Sequence, residues 1–133
     1  MSRLVIDTSA VLAVLLHECT RPMLITATEG CELVGAPSLP SEVGNALIAG
    51  FRRRRLTVEA VLGAWAGYQK VRVRLAEIDV RSALQIAVES GLYAYDAYVL
   101  ETARAARLPL LTLDRGVARA AGRLGLKLVE VGM

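Results

Sequence analysis

Histidine and cysteine are nearly missing from this chain. It has one histidine, His17, and two cysteines, Cys19 and Cys31, with no CxxC pair and no Cys/His cluster. A Cys/His zinc centre and a Ser-His-Asp triad are therefore not expected, and the two thiols read as ordinary reduced side chains. Long apolar runs are missing too. The stretch from Ala10 to Leu16 is broken well short of the ~18 residues that a membrane helix needs, and Asp7 interrupts the apolar start too early for a signal peptide. The expectation is a cytoplasmic protein with no membrane partner. Linkers, repeats and low-complexity segments are also absent. Charged residues make up only 22% against 54% apolar, and mean hydropathy is +0.44, the reverse of a disordered composition. The 133 residues fit one domain, 1–133. So apolar a small domain is expected to expose a greasy face to a partner or to its own copy.

The formal net charge is +3. Only Lys70 and Lys127 are lysines, so fourteen of the sixteen basic residues are arginine. Arginine forks match phosphate oxygens, which permits a nucleic-acid partner. A GC-rich coding sequence would give the same excess, so position has to decide. Four arginines, Arg52, Arg53, Arg54 and Arg55, stand together. Such a run is commonly the solvated, dipole-compensating end of a helix. It is also a candidate contact for RNA or for an acidic protein segment.

Strand and helix signals alternate along the chain. Arg3 to Ile6 reads as a buried strand. Asp7-Thr8-Ser9 offers caps for a helix from Ala10 to His17, and Thr20 to Glu29 reads as a second helix ended by Gly30. Cys31 to Gly35 is a short strand. A helix from about Leu39 to Arg55, with Pro40 in its first turn, makes a hairpin with one from Thr57 to about Val71. The second arm carries the stripe Val58, Val61, Leu62, Trp65 and Tyr68. Val73 to Ile78 reads as a strand, Val80 to Ser90 as a helix stopped by Gly91, and Ala94 to Arg107 as another helix. Leu110 to Leu113 reads as a strand, Arg115 to Leu124 as a helix capped by Asp114, and Lys127 to Val131 as a last strand. The alternation predicts an α/β fold with a central parallel β-sheet flanked by α-helices. Sites in such sheets form at the carboxyl ends of the strands.

Four acids stand at those ends. Asp7 follows the first strand, Glu42 and Asp96 lie in first turns of helices, and Asp114 follows the strand at Leu110. Each alone could simply cap a helix and offset its dipole. Asp7, however, ends an apolar strand, and Asp96 sits between Tyr95 and Ala97 in a greasy helix. If the four converge, they cannot all stay ionised without cations. Hard oxygen donors suit Mg²⁺, with Mn²⁺ as the substitute, and such an ion activates water and clamps phosphate oxygens. The hydroxyls of Thr8, Ser9 and Thr112 stand beside the acids.

The segments Val5-Ile6-Asp7-Thr8-Ser9-Ala10, Pro40-Ser41-Glu42-Val43-Gly44-Asn45-Ala46-Leu47, Tyr95-Asp96-Ala97-Tyr98 and Leu111-Thr112-Leu113-Asp114-Arg115 resemble, in order and spacing, the signatures of PIN-domain ribonucleases. Length and order also resemble the VapC-like toxins of type II toxin–antitoxin systems. The resemblance implies a single PIN-like nuclease domain with Asp7, Glu42, Asp96 and Asp114 as the catalytic acids. Asp7 and Asp96 would ligate Mg²⁺, with Glu42 and Asp114 as further candidates, and Thr8, Ser9 and Thr112 would be supporting hydroxyls. It also implies endoribonuclease activity on RNA, a homodimer, and a cognate antitoxin. Two rival readings remain. A phosphotransfer domain of haloacid-dehalogenase type needs a second Asp where Ser9 stands, and a receiver needs a Lys after a late strand, where Lys127 instead opens one. A non-catalytic RNA- or protein-binding module leaves the pattern of acids unexplained.

Overall fold

The computed structural model describes residues 2–131; residues 1, 132 and 133, the ends of the expected domain, lie outside the described residues. The chain runs β1 (Arg3–Ile6), α1 (Thr8–Leu15), α2 (Arg21–Thr28), β2 (Glu32–Gly35), α3 (Leu39–Arg52), α4 (Val58–Lys70), β3 (Val73–Leu75), α5 (Val80–Ser90), α6 (Ala94–Ala106), β4 (Leu110–Leu111) and α7 (Arg115–Arg123). The strands lie in the order β3-β2-β1-β4, and every pairing is parallel. Each crossover carries a pair of helices, as parallel strands require a long return.

Leu4, Val5 and Ile6 are all buried because helices cover both faces of β1. Their alternation divides the core. Val5 packs with Val34, Ala83, Leu100, Leu110 and Ala120 beneath α5, α6 and α7. Leu4 and Ile6 pack with Leu24, Leu39, Leu47 and Leu111 beneath α1 to α4. At Gly35 the sheet and α3 come too close for a side chain: a Cβ there would stand 2.7 Å from Leu39 Cδ2 and 3.0 Å from Val73 Cγ1. This contact seats the start of α3, and with it Glu42, beside the carboxyl end of β2.

Four expected elements fall clearly short of their sequence pattern. The third helix stops at Arg52, not Arg55. Leu56 folds back over Gly50, whose carbonyl accepts from the amides of Arg55 (2.9 Å) and Leu56 (3.3 Å), and Arg54 turns left-handed at φ +59°. Strand β3 ends at Leu75 rather than Ile78, because its partner β2 ends at Gly35, whose carbonyl takes the last bond from the Ala76 amide. Strand β4 holds only Leu110 and Leu111, and Lys127–Val131 is reduced to a single bridge between Leu110 and Leu128. In α4 the apolar stripe divides. Val61, Trp65 and Tyr68 pack on the core, whereas Val58 and Leu62 stay exposed. Among the described residues, no helix is long and apolar enough to cross a membrane.

Candidate active site

Because β1 and β4 are neighbours, Asp7 and the segment Thr112–Asp114 leave the sheet side by side. The Asp7 amide donates to the Leu111 carbonyl at 3.2 Å. Asp7 as a whole is 5% exposed, and such burial of a carboxylate is tolerable only with bonded oxygens. Oδ1 accepts from the Ala10 amide at 3.1 Å, which caps α1, and from the Ser9 hydroxyl at 2.6 Å. Oδ2 accepts from the Thr112 hydroxyl. The two hydroxyls pass the connection on: Ser9 Oγ accepts from the Leu113 amide at 2.9 Å, and Thr112 Oγ1 from the Asp114 amide at 3.0 Å. Asp7 is thus fixed in orientation by groups that also tie β1 to β4.

Glu42, one turn into α3, is held at both oxygens. Thr8 Oγ1 donates to Oε1 at 3.1 Å and Ser38 Oγ to Oε2 at 2.6 Å. Asp114 caps α7 by accepting from the Val117 amide at 3.0 Å; capping therefore accounts for part of its placement. Asp96 is different. The cap residue of α6 is Tyr93, and no side chain caps that helix. A capping role thus does not explain Asp96, which stands in the first turn facing the other acids.

The acids sense one another. Burial pushes the Asp7 carboxyl above the usual range; the bonds from Ser9, Thr112 and Ala10 pull it back, and the charge of Asp114 pushes it up again. Burial also raises Glu42, against the bonds from Ser38 and Thr8 and with the charges of Asp96 and Asp7. Asp96 is raised by burial and then by Asp114 and Asp7, with no hydrogen bond in opposition. All three shifts favour the neutral acid, as expected for carboxylates gathered without a cation.

Thr8, Glu42, Asn45, Tyr93, Tyr95 and Asp96 line an open cleft of about 610 Å³. A second hollow of about 300 Å³ opens on Thr112, Asp114 and Arg115. Among the described residues, no three Asp, Glu, His or Cys side chains stand close enough together to hold one ion between them. The oxygens gathered here are hard donors, a type that suits Mg²⁺ or Mn²⁺ better than a soft metal.

The structure thus brings Asp7, Glu42, Asp96 and Asp114 to one edge of the sheet, with Ser9 and Thr112 on Asp7 and Thr8 on Glu42. Arg52, Arg53, Arg54 and Arg55 are exposed at the far end of α3, about 15 Å from Glu42 at ~1.5 Å per residue. Sequence reasoning missed Ser38. Its signal was present, a serine one turn before Glu42 at the start of a helix. It also missed Asn45, one turn after Glu42, and Tyr93, which line the same cleft.

No protein-family model matches the chain, and no curated protein matches it by sequence. In three dimensions it is similar to PAE2754 from Pyrobaculum aerophilum, with a TM-score of 0.69 and 26% identity over 90% of this chain and 79% of that one. It is also similar to VapC20 of Mycobacterium tuberculosis, a toxin that cleaves the sarcin–ricin loop, with a TM-score of 0.64 and 16% identity over 88% of this chain and 94% of that one. With four parallel strands and paired-helix crossovers alongside these likenesses, this chain has a PIN-like α/β fold, similar to that of VapC20.

Proposed function

We propose that this chain is a Mg²⁺-dependent endoribonuclease and the toxin of a toxin–antitoxin pair, with Mn²⁺ able to replace Mg²⁺. The observation that carries the reading is the set of four acids drawn from four separate elements to one sheet edge, one of them, Asp96, in no capping role. The likeness to a structure of an RNA-cleaving toxin supports it.

The acids alone would repel a phosphodiester. A divalent ion bound at Asp7 and Asp96, with Glu42 and Asp114 nearby, would neutralise that charge and supply an activated water. The chain's own groups do the rest. Ser9 and Thr112 hold Asp7 so that its oxygens keep one orientation, and Thr8 and Ser38 do the same for Glu42. An ionised carboxylate of the group accepts the proton of the attacking water, while the open cleft admits an unpaired strand. The test is cleavage of single-stranded RNA. EDTA stops it and excess Mg²⁺ restores it; cleavage that survives thorough chelation overturns the reading.

The proposal extends to partners and location. The protein acts in the cytoplasm on RNA and is held inactive by its cognate antitoxin. Ile48, Phe51, Val58 and Leu62 are exposed on the α3–α4 hairpin, and this face suits an apolar antitoxin segment. Val80, Leu84 and Val88 form another exposed row on α5, suited to a second copy in a homodimer. Hydrogen exchange then slows on the hairpin when antitoxin is added; slowing confined to other elements overturns that placement.

A further inference from the structure

The wall of the acidic cleft holds two exposed rings that the chemistry above does not use. Tyr93 is 86% exposed and Tyr95 53%, yet both line the cleft that contains Glu42 and Asp96. Tyr93 stands in extended backbone just before α6, at φ −71° and ψ 158°, outside the helix and unsupported by the core. Tyr95 is propped edge-on by Tyr98, with ring centroids 5.8 Å apart and planes at 74°. Asn45 on α3, exposed on the helical turn after Glu42, lines the same cleft. The cleft's ~610 Å³ lies within the ~300–1,000 Å³ range of small-ligand pockets.

We infer that Tyr93 and Tyr95 form a stacking platform for one unpaired nucleobase of the RNA next to the scissile phosphate, and that the Asn45 amide meets the edge of that base. This rests on the nuclease reading above. An amide presents both a donor and an acceptor, so it can discriminate among base edges, whereas an aromatic face accepts any base. The two rings therefore supply affinity and the amide supplies preference. The platform also explains why apolar rings are left in water beside carboxylates. Unstacked bases carry their own apolar faces into the cleft, while the phosphate stays on the acid side.

The experiment measures binding of a fluorescein-labelled single-stranded oligoribonucleotide, and of the same strand with abasic riboses throughout. The protein is the full chain carrying Asp96→Asn, with Mg²⁺ present, so that nothing is cut. A stacked base is worth about fivefold to 150-fold in affinity. Tyr93→Leu and Tyr95→Leu should each lose at least about fivefold on normal RNA, with little change on abasic RNA. Tyr93→Phe, which keeps the ring, should bind like its parent. Asn45→Ala should flatten the preference among oligomers of different base. Leucine variants that bind normal RNA as the parent does, or that lose equally on abasic RNA, overturn the platform and leave the nuclease standing. Wild-type protein that fails to cleave the same RNA with Mg²⁺ overturns both.

Discussion

Thr112→Val tests the physical core of the site, because valine keeps the shape of threonine and removes only its hydroxyl. Two bonds go: the one Thr112 donates to Asp7 Oδ2 and the one it accepts from the Asp114 amide. Asp114 is exposed, so water replaces the second at little cost. Asp7 is only 5% exposed, so water replaces the first poorly. A hydrogen bond to a charged group contributes about 1.5–3 kcal/mol, and we expect a loss of about 2 kcal/mol. At roughly 2.1 cal/mol/K of unfolding entropy per residue over the 133 residues, that lowers Tm by about 7 °C. The loss depends on pH with a definite sign. The hydroxyl favours ionised Asp7, so its removal raises a carboxyl that burial has already raised. The penalty is full while Asp7 is ionised in the folded protein and shrinks as pH falls through its folded value. Urea unfolding in chelator at about pH 8 and about pH 4 gives the comparison, with Thr112→Ser as the variant that keeps the hydroxyl. A loss below about 0.5 kcal/mol at both pH values, or one equal at both, refutes the claim that this bond holds a buried charge.

Three further outcomes follow from the same geometry. Asp96 is raised by burial and by Asp114 and Asp7, so its contribution to stability is full below the unfolded value and is lost as pH rises through the folded one. Without divalent ions at neutral pH, Asp96→Asn should therefore melt above wild type in calorimetry, with the gap closing toward acid; a lower melt at neutral pH would sink this. Gly35→Ala forces a Cβ against Leu39 and Val73 and should cost about 1–3 kcal/mol by overpacking, read from the urea midpoint; an unchanged midpoint shows that α3 can shift freely. Replacing exposed Arg53 and Arg54 with Gln should leave Tm unchanged, while the log–log salt slope of RNA binding falls by roughly 0.7 for each phosphate no longer neutralised; an unchanged slope leaves the arginines as a solvated helix end.

Much of the fold was legible because it is governed by local chemistry. The apolar run Leu4–Ile6 announces a strand covered on both faces. Asp7 and Asp114 cap their helices through their own side chains, and Gly91 ends α5 in the left-handed region at φ +66°. The misread boundaries are those set at a distance. Arg53 to Arg55 are good helix formers, and only the fold-back of Leu56 onto Gly50 ends α3 early. Leu113 and Val129 to Val131 have strand composition, but pairing beyond Leu111 and Leu128 is not made.

Periodicity and capping act within a few residues, so the linear chain already specifies the alternation of strands and helices and sets an acid at each relevant boundary. Along the chain, however, a capping acid and an acid gathered with others have the same neighbours and look alike. The folded arrangement separates them. Setting β1 beside β4 put the Thr112 hydroxyl on Asp7, 105 residues away in sequence, and packing α3 over Gly35 put Thr8 on Glu42 across 34. Burial and the mutual repulsion of the acids, which distinguish this edge from an ordinary row of helix caps, arise only when those elements meet.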